Sequence, residues 1–423
     1  MAEALWPFLE ERLRAAGEDR AALNDIPIAR LVLRAARWLP SDLAESSSWR
    51  WASSDSRRPL KAGRLSWIGT HDPLRIALVA PAWFPVPPNG YGGIEAVVHL
   101  LGRELVRRGH QVTTFAVEGS DPELHPISLA PGDWGDDLGT SDQPIRESTY
   151  QLRVNRALRR LAPELDVVHL HTEFPGMAAA ALLELPVPCF ATVHCDINEK
   201  VHDFLREVDE SIELIAISQA QRQQAKGIRW RAVIHNAVRV DDFTPRAEKD
   251  GYLVELARIT PDKGQHLAIE VAEQIGVPLV LAGKVDRDAQ SQRYFKEKIE
   301  PRLSSSIRWI EDVGDGDKAA LLAGAVAMLF PIQWEEPFGL AMVEAMVSGT
   351  PVIAFRRGAT VEIVEPGLTG FLVDTVDEMI NAVKKIGEID PLACAERARE
   401  RFSPAQMGAR YEKAYREASN RRG

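Results

Sequence analysis

The feature that most constrains this chain is a repeated alternation of short apolar runs with helix-length amphipathic stretches. From Arg75 onward, RIALVAPAW opens as a buried strand and GIEAVVHLLGRELVRRG follows as an amphipathic helix ending at Gly109. QVTTFAV (111–117), LDVVHLHT (165–172), PCFATVH (188–194) and ELIAIS (213–218) read as further strands. Apolar runs of this length, separated by helical segments, predict parallel strands joined by crossover helices. A break near 235–245 interrupts the pattern. It then restarts with GYLVELAR (251–258), PLVLAGK (278–284), IRWIED (307–312), AMLFPI (327–332), PVIAFRR (351–357) and TGFLVD (369–374). Two doubly wound α/β domains in tandem follow, with a ligand cleft expected where the carboxyl ends of their strands face each other. The expected division is an extension over 1–72, a first Rossmann-like domain over 73–238, a second over 239–402, and a C-terminal helix over 403–423 that crosses back to the first domain.

Composition narrows the classes. The 423 residues carry 51 Lys and Arg against 61 Asp and Glu, a net charge of −10, so an overall basic surface for nucleic acid is absent. No apolar run approaches the roughly 18 residues of a membrane span. The start, MAEALWPFLEERLR, is acidic where a signal peptide is basic. Cys189, Cys195 and Cys394 form no disulfide framework and no paired metal motif, which suits the cytoplasm and an enzyme without metal or cofactor. Residues 1–70 differ from the rest. They hold five of the ten tryptophans (Trp6, Trp38, Trp49, Trp51, Trp67), two helical patterns over 3–16 and 28–39, and a Ser- and Arg-rich linker. They read as a packed appendage or as a dock for a partner or a second copy.

The strongest chemical signal is EEPFGLAMVEAMVSGTPVIA. Glu336 and Glu344 stand eight residues apart, with a Pro-Phe-Gly turn between them and a helix beginning near Gly339. If that backbone is mostly helical, the eight residues rise about 12 Å, roughly the span from a sugar to the ribose of a nucleoside-diphosphate sugar. Carboxylates grip sugar hydroxyls by accepting paired hydrogen bonds. The amides of Gly339 and Leu340, with Phe338 beside them, would face phosphates at the helix start. ARITPDKG (257–264) places Arg258 and Lys263 at a loop mouth after a strand, a fork and a point charge suited to a diphosphate. PPNGYGGIE (87–95) places Gly90, Gly92 and Gly93 between the first strand and its helix, where the backbone can approach a ligand. Its spacing is not a dinucleotide fingerprint. His194 ends one strand, next to Cys195 and Asp196; His169 and His171 share one side of another. Three adjacent residues do not converge easily on one metal ion.

These segments resemble the retaining glycosyltransferases of family 4, with the GT-B fold, over about 345 residues from Arg75 to the last helix. The resemblance implies transfer of a hexose from a nucleoside-diphosphate sugar, with retention, to a hydroxyl acceptor on a glycan, small molecule or lipid. It gives Arg258 and Lys263 the donor phosphates, Glu336 the donor sugar, and Glu344 the ribose. His194 falls beside the reacting sugar and the Gly92–Gly93 loop on the acceptor side. Glu362 and Glu365 fall near the donor site in a supporting role. The family usually has glycine where Ala257 stands. Basic stretches at 153–163 and 221–231 read as solvated faces or as peripheral contact with the inner membrane face. The rival readings are a catalytically degenerate partner subunit and a sugar-nucleotide epimerase of the same fold.

Overall fold

The computed structural model describes residues 72–132 and 134–420. The extension over 1–70, with its tryptophans and proposed docking role, lies outside the described residues.

Seven parallel strands form the first sheet: β1 (Arg75–Val79), β2 (Gln111–Val117), β3 (Ile127–Ala130), β4 (Val167–Leu170), β5 (Cys189–Val193), β6 (Glu213–Ala216) and β7 (Trp230–Val233). Their order in space is β3-β2-β1-β4-β5-β6-β7. Six parallel strands form the second: β8 (Leu253–Leu256), β9 (Leu279–Ala282), β10 (Ile307–Ile310), β11 (Ala327–Phe330), β12 (Val352–Phe355) and β13 (Gly370–Val373), in the order β10-β9-β8-β11-β12-β13. This is the GT-B architecture of two Rossmann-like domains. The central strands are buried, save Arg75 at the start of β1, because helices cover both faces.

In each sheet the order reverses once, between β1 and β4 and between β8 and β11. Diverging crossovers leave a crevice at each reversal. The glycine loop leaves β1 and the Arg258–Lys263 loop leaves β8, so both motifs stand at a switch point.

Between β2 and β4, residues 119–149 contain β3 and the start of a long helix, Gln143–Leu161. The basic stretch 221–231 runs from the short helix Gln219–Gln224 through a turn into β7. One correction concerns local structure. The helix after the Pro-Phe-Gly turn begins at Leu340, with Gly339 as its N-cap, so only half of the eight-residue interval between the glutamates is helical. The 12 Å estimate therefore does not hold as stated.

The last helix, Pro404–Ser419, leaves the second half and packs on the first. Tyr411 and Tyr415 are wholly buried against Ile76, Leu78 and Phe190. The Tyr415 hydroxyl lies 2.6 Å from His169 Nδ1, and the Tyr411 hydroxyl 2.9 Å from Thr192 Oγ1. Gly408 lets the helix approach Glu104 on the helix Gly93–Arg107: a Cβ there would stand 2.3 Å from the Glu104 Cγ. Replacing Tyr415 with Ala removes a buried ring, so stability in urea is expected to fall by about 3–5 kcal/mol. A loss under about 1 kcal/mol would show that this helix does not hold the two halves together.

Candidate active site

Two loops at the second switch point bring charge together. The first follows β8, where Thr260, Pro261 and Asp262 lead to Lys263 and the left-handed Gly264. The second follows β11, where the chain turns through Trp334, Glu335 and Glu336. The backbone there is clamped: the Ala359 amide donates to the Glu336 carbonyl at 2.7 Å, and the Gly358 amide to the Glu335 carboxylate at 2.7 Å. The Lys263 ammonium meets the Glu336 carboxylate at 2.9 Å and lies 4.4 Å from the centre of the Trp334 ring. Both side chains of the pair are mostly buried, at 13% and 9% exposure. Arg258, nearer the mouth, pairs with Asp286 beside an open cleft of about 530 Å³ lined by Thr260, Asp288 and Gln333. Behind the loop, Glu255 is wholly buried and accepts from Gln265 Nε2 at 2.9 Å; burial holds its carboxyl well above the usual range. Glu336, at hydrogen-bond distance, is the carboxyl that answers Lys263.

Glu344 sits one turn along the helix Leu340–Val347 and takes Lys318 at 2.9 Å. Gly339 has φ of 87°, which opens the turn into that helix without strain. Phe338 presents no ring to the cleft. It is 2% exposed and packs between His235 and Phe402, with ring centres at 5.8 and 6.0 Å. Its ring anchors the turn.

The two motif loops meet across the cleft. A Cβ built on Gly93 would lie 3.2 Å from Leu340 Cδ1, so the glycine loop of the first half touches the start of the glutamate helix in the second. Gly92 has φ of 146°, and a Cβ there would strike Pro88 at 2.6 Å. Glu362 also crosses: its carboxylate accepts from the Gln219 and Ala220 amides at 3.0 and 2.9 Å and lies 3.0 Å from His235. These contacts hold its carboxyl below the usual range although burial opposes them. Glu365 pairs with Arg397 and Arg401 at 2.9 and 2.8 Å.

The profile described as Glycosyltransferase Family 4 matches residues 91–242, and that described as Glycosyl transferases group 1 matches residues 239–402. The chain belongs to glycosyltransferase family 4. The phosphatidyl-myo-inositol mannosyltransferase of Mycobacterium tuberculosis (strain ATCC 25618 / H37Rv) is 28% identical over 327 residues, covering 71% of this chain and 82% of that protein. A glycogen synthase of the same organism is 26% identical over 378 residues, covering 77% and 89%. Among solved structures, AviGT4, a glycosyltransferase involved in avilamycin A biosynthesis, superposes with a TM-score of 0.62 at 26% identity, over 82% of this chain and 98% of that one. Anabaena Alr3699/HepE, solved with UDP-glucose, gives 0.62 at 18% identity over 81% and 100%. This glycosyltransferase has no helix, among its described residues, long and apolar enough to cross a membrane. No group of three or more candidate metal ligands occurs among them either.

The sequence argument did not find Trp334, Lys318 or Asp286, which partner Lys263, Glu344 and Arg258. Trp334 stands two residues before Glu336; the other two are distant in sequence and give no local signal. On the first half's side, His194 Nε2 lies 3.0 Å from His171 Nδ1, and the His169 and His171 rings stack with centres 4.1 Å apart. Burial drives His169 and His171 well below the usual imidazole range and His194 down to about 4. Burial, with Glu173 and Asp196 nearby, pushes the Cys195 thiol up to about 12, so it is no thiolate nucleophile at neutral pH.

A depressed imidazole makes the folded state lose stability as pH falls. The unfolded chain takes its proton near pH 6.5 and the folded His194 only near 4, so up to about 3 kcal/mol disappears across that window. In His194→Asn, the decline in unfolding free energy from pH 6.5 to 4 is expected to be shallower by about that amount. His169 and His171 keep their own share of the slope. Urea titrations at stepped pH measure it, and an unaltered slope in the variant would mean that His194 protonates freely in the folded protein.

Proposed function

We propose that this glycosyltransferase moves a hexose from a nucleoside-diphosphate sugar to a hydroxyl acceptor with retention of configuration and without a metal. The observation that carries the reading is the Lys263–Glu336 pair, held on Trp334 at the second switch point, where the glycine loop meets the start of the Glu344 helix at Leu340. The second half, 239–402, is read as the donor domain and 73–238 as the acceptor domain, with 403–423 crossing back.

In this reading Lys263 and Arg258 bind the diphosphate, and they stabilise the charge that develops as the leaving group departs. The Gly339 and Leu340 amides at the helix start add donors to the phosphates. Glu336 holds the donor sugar's hydroxyls beside an oxocarbenium-like centre, and Glu344 holds the ribose. The departing phosphate oxygen accepts the acceptor's proton on the same face of the sugar, which accounts for retention without an enzymic nucleophile. His194, neutral over the working pH range, donates or accepts a hydrogen bond at the reacting sugar. The Gly92–Gly93 loop brings the acceptor's backbone contacts up to the donor. The structural neighbours solved with UDP-glucose and with ADP support a nucleotide donor. A thermal-shift screen of UDP, GDP, ADP and dTDP sugars identifies the base.

The two glutamates separate the roles. Glu344→Gln is expected to weaken the free nucleoside diphosphate by roughly 1–3 kcal/mol, the worth of a charged hydrogen bond. Glu336→Gln is expected to cut kcat strongly without weakening that affinity, because it acts on the sugar where charge develops and its loss frees Lys263 for phosphate. Calorimetry beside kcat reads both. The opposite pattern would reverse the assignment, and no effect from either change would reduce the segment to a structural helix.

A further inference from the structure

The first switch point carries an unassigned recess. It lies where Pro81, Ala82 and Trp83 leave β1 and where Thr172 and Glu173 leave β4, under the helix Gln143–Leu161. Its volume is about 20 Å³, room for one water-sized group.

Glu147 and Glu173 line it, and buried Glu95, from the glycine-loop helix, is close enough to repel Glu173; Glu147 repels Glu173 as well. Among the described residues none of the three has an ionic partner. Glu147 has only the Gln143 side-chain amide, at 2.8 Å. Burial pushes all three carboxyls upward, Glu95 to about 7. Two more lining groups stand ready for a ligand. Tyr150 is 2% exposed and Thr172 7% exposed, and neither hydroxyl has a partner. Buried polar groups in a folded protein nearly always find one.

With no cation in the recess, burial favours the protonated form of these carboxyls, and like charge adds to it at Glu95 and Glu173; a cation would let them ionise. A neutral hydroxyl in the recess would satisfy a hydrogen bond and supply no countercharge. A guanidinium is too large for this volume. A primary ammonium fits it, donates three hydrogen bonds, and cancels negative charge.

We infer that the recess captures a primary ammonium group of the acceptor, so that the acceptor is an amine-bearing polyol such as an amino sugar or aminocyclitol. Glu147 and Glu173 take the ammonium, and the Tyr150 and Thr172 hydroxyls complete its coordination. The inference rests on the reading of the first half as the acceptor side. It needs no knowledge of the donor.

The test is calorimetric, on the full chain without nucleotide, with methylammonium, glucosamine, glucose and N-acetylglucosamine as probes. Methylammonium and glucosamine are expected to bind, with glucose and N-acetylglucosamine at least tenfold weaker. The double variant Glu147→Gln, Glu173→Gln is expected to lose at least tenfold in glucosamine affinity. The conservative Tyr150→Phe, which keeps the ring, is expected to weaken glucosamine about threefold. Glucose or N-acetylglucosamine binding as tightly as glucosamine overturns the inference, and so does amine binding unchanged in the double variant or absent from the parent protein. Nucleoside diphosphate affinity, measured on the same variants, is expected to match the parent. It reports on the donor site alone and keeps a failure of that reading distinct from a failure of this one.

Discussion

The site is organised by one ion pair that the protein makes with itself. Lys263 and Glu336 come from loops 73 residues apart, and each is mostly buried. A buried charge without a partner is strongly unfavourable, so in the absence of ligand each group satisfies the other. In the proposed reading, a diphosphate sugar would offer the exchange that separates them: phosphate oxygens for the lysine and hydroxyls for the glutamate. Trp334 lies against the ammonium, with its ring centre 4.4 Å away. Glu344 with Lys318 repeats the same arrangement one turn along the neighbouring helix.

That pair has meaning only if the fold delivers both halves to one cleft. The reversals of strand order place one loop mouth in each sheet, and Gly93 against Leu340 joins them. The C-terminal helix ties the second half to the first through Tyr411 and Tyr415. Glu362 adds a second tie by capping the helix Gln219–Gln224 from across the cleft. His169, within β4, lies against Tyr411 and Tyr415 of this C-terminal helix, which is why burial acts on it so strongly.

Much of this was legible in the sequence, for a physical reason. Strands buried on both faces are largely apolar, and the central strands of both sheets announce themselves so; β10 and β13, at the edges of the second sheet, kept enough apolar residues to be read as well. The two that escaped notice, β3 and β7, are edge strands. ISLA and WRAV are only partly buried, so their composition is free to be mixed. The charged loops were legible because glycine and proline mark their turns. The partners Lys318 and Asp286 were not, since a salt bridge between distant loops leaves no periodicity. The recess at Glu147, Tyr150 and Thr172 was hidden for the same reason: its members come from a helix and from the end of a strand that are distant in sequence. Phe338 is the converse case: it stands inside the glutamate motif, but its ring belongs to the core.

The central claim is that Lys263 exchanges Glu336 for a diphosphate. Calorimetry of the nucleoside diphosphate against the corresponding nucleoside, on the parent and on Lys263→Ala, tests it most directly. The account predicts that the variant binds the diphosphate at least tenfold more weakly and the nucleoside equally well. Equal diphosphate affinity in the two proteins would contradict it.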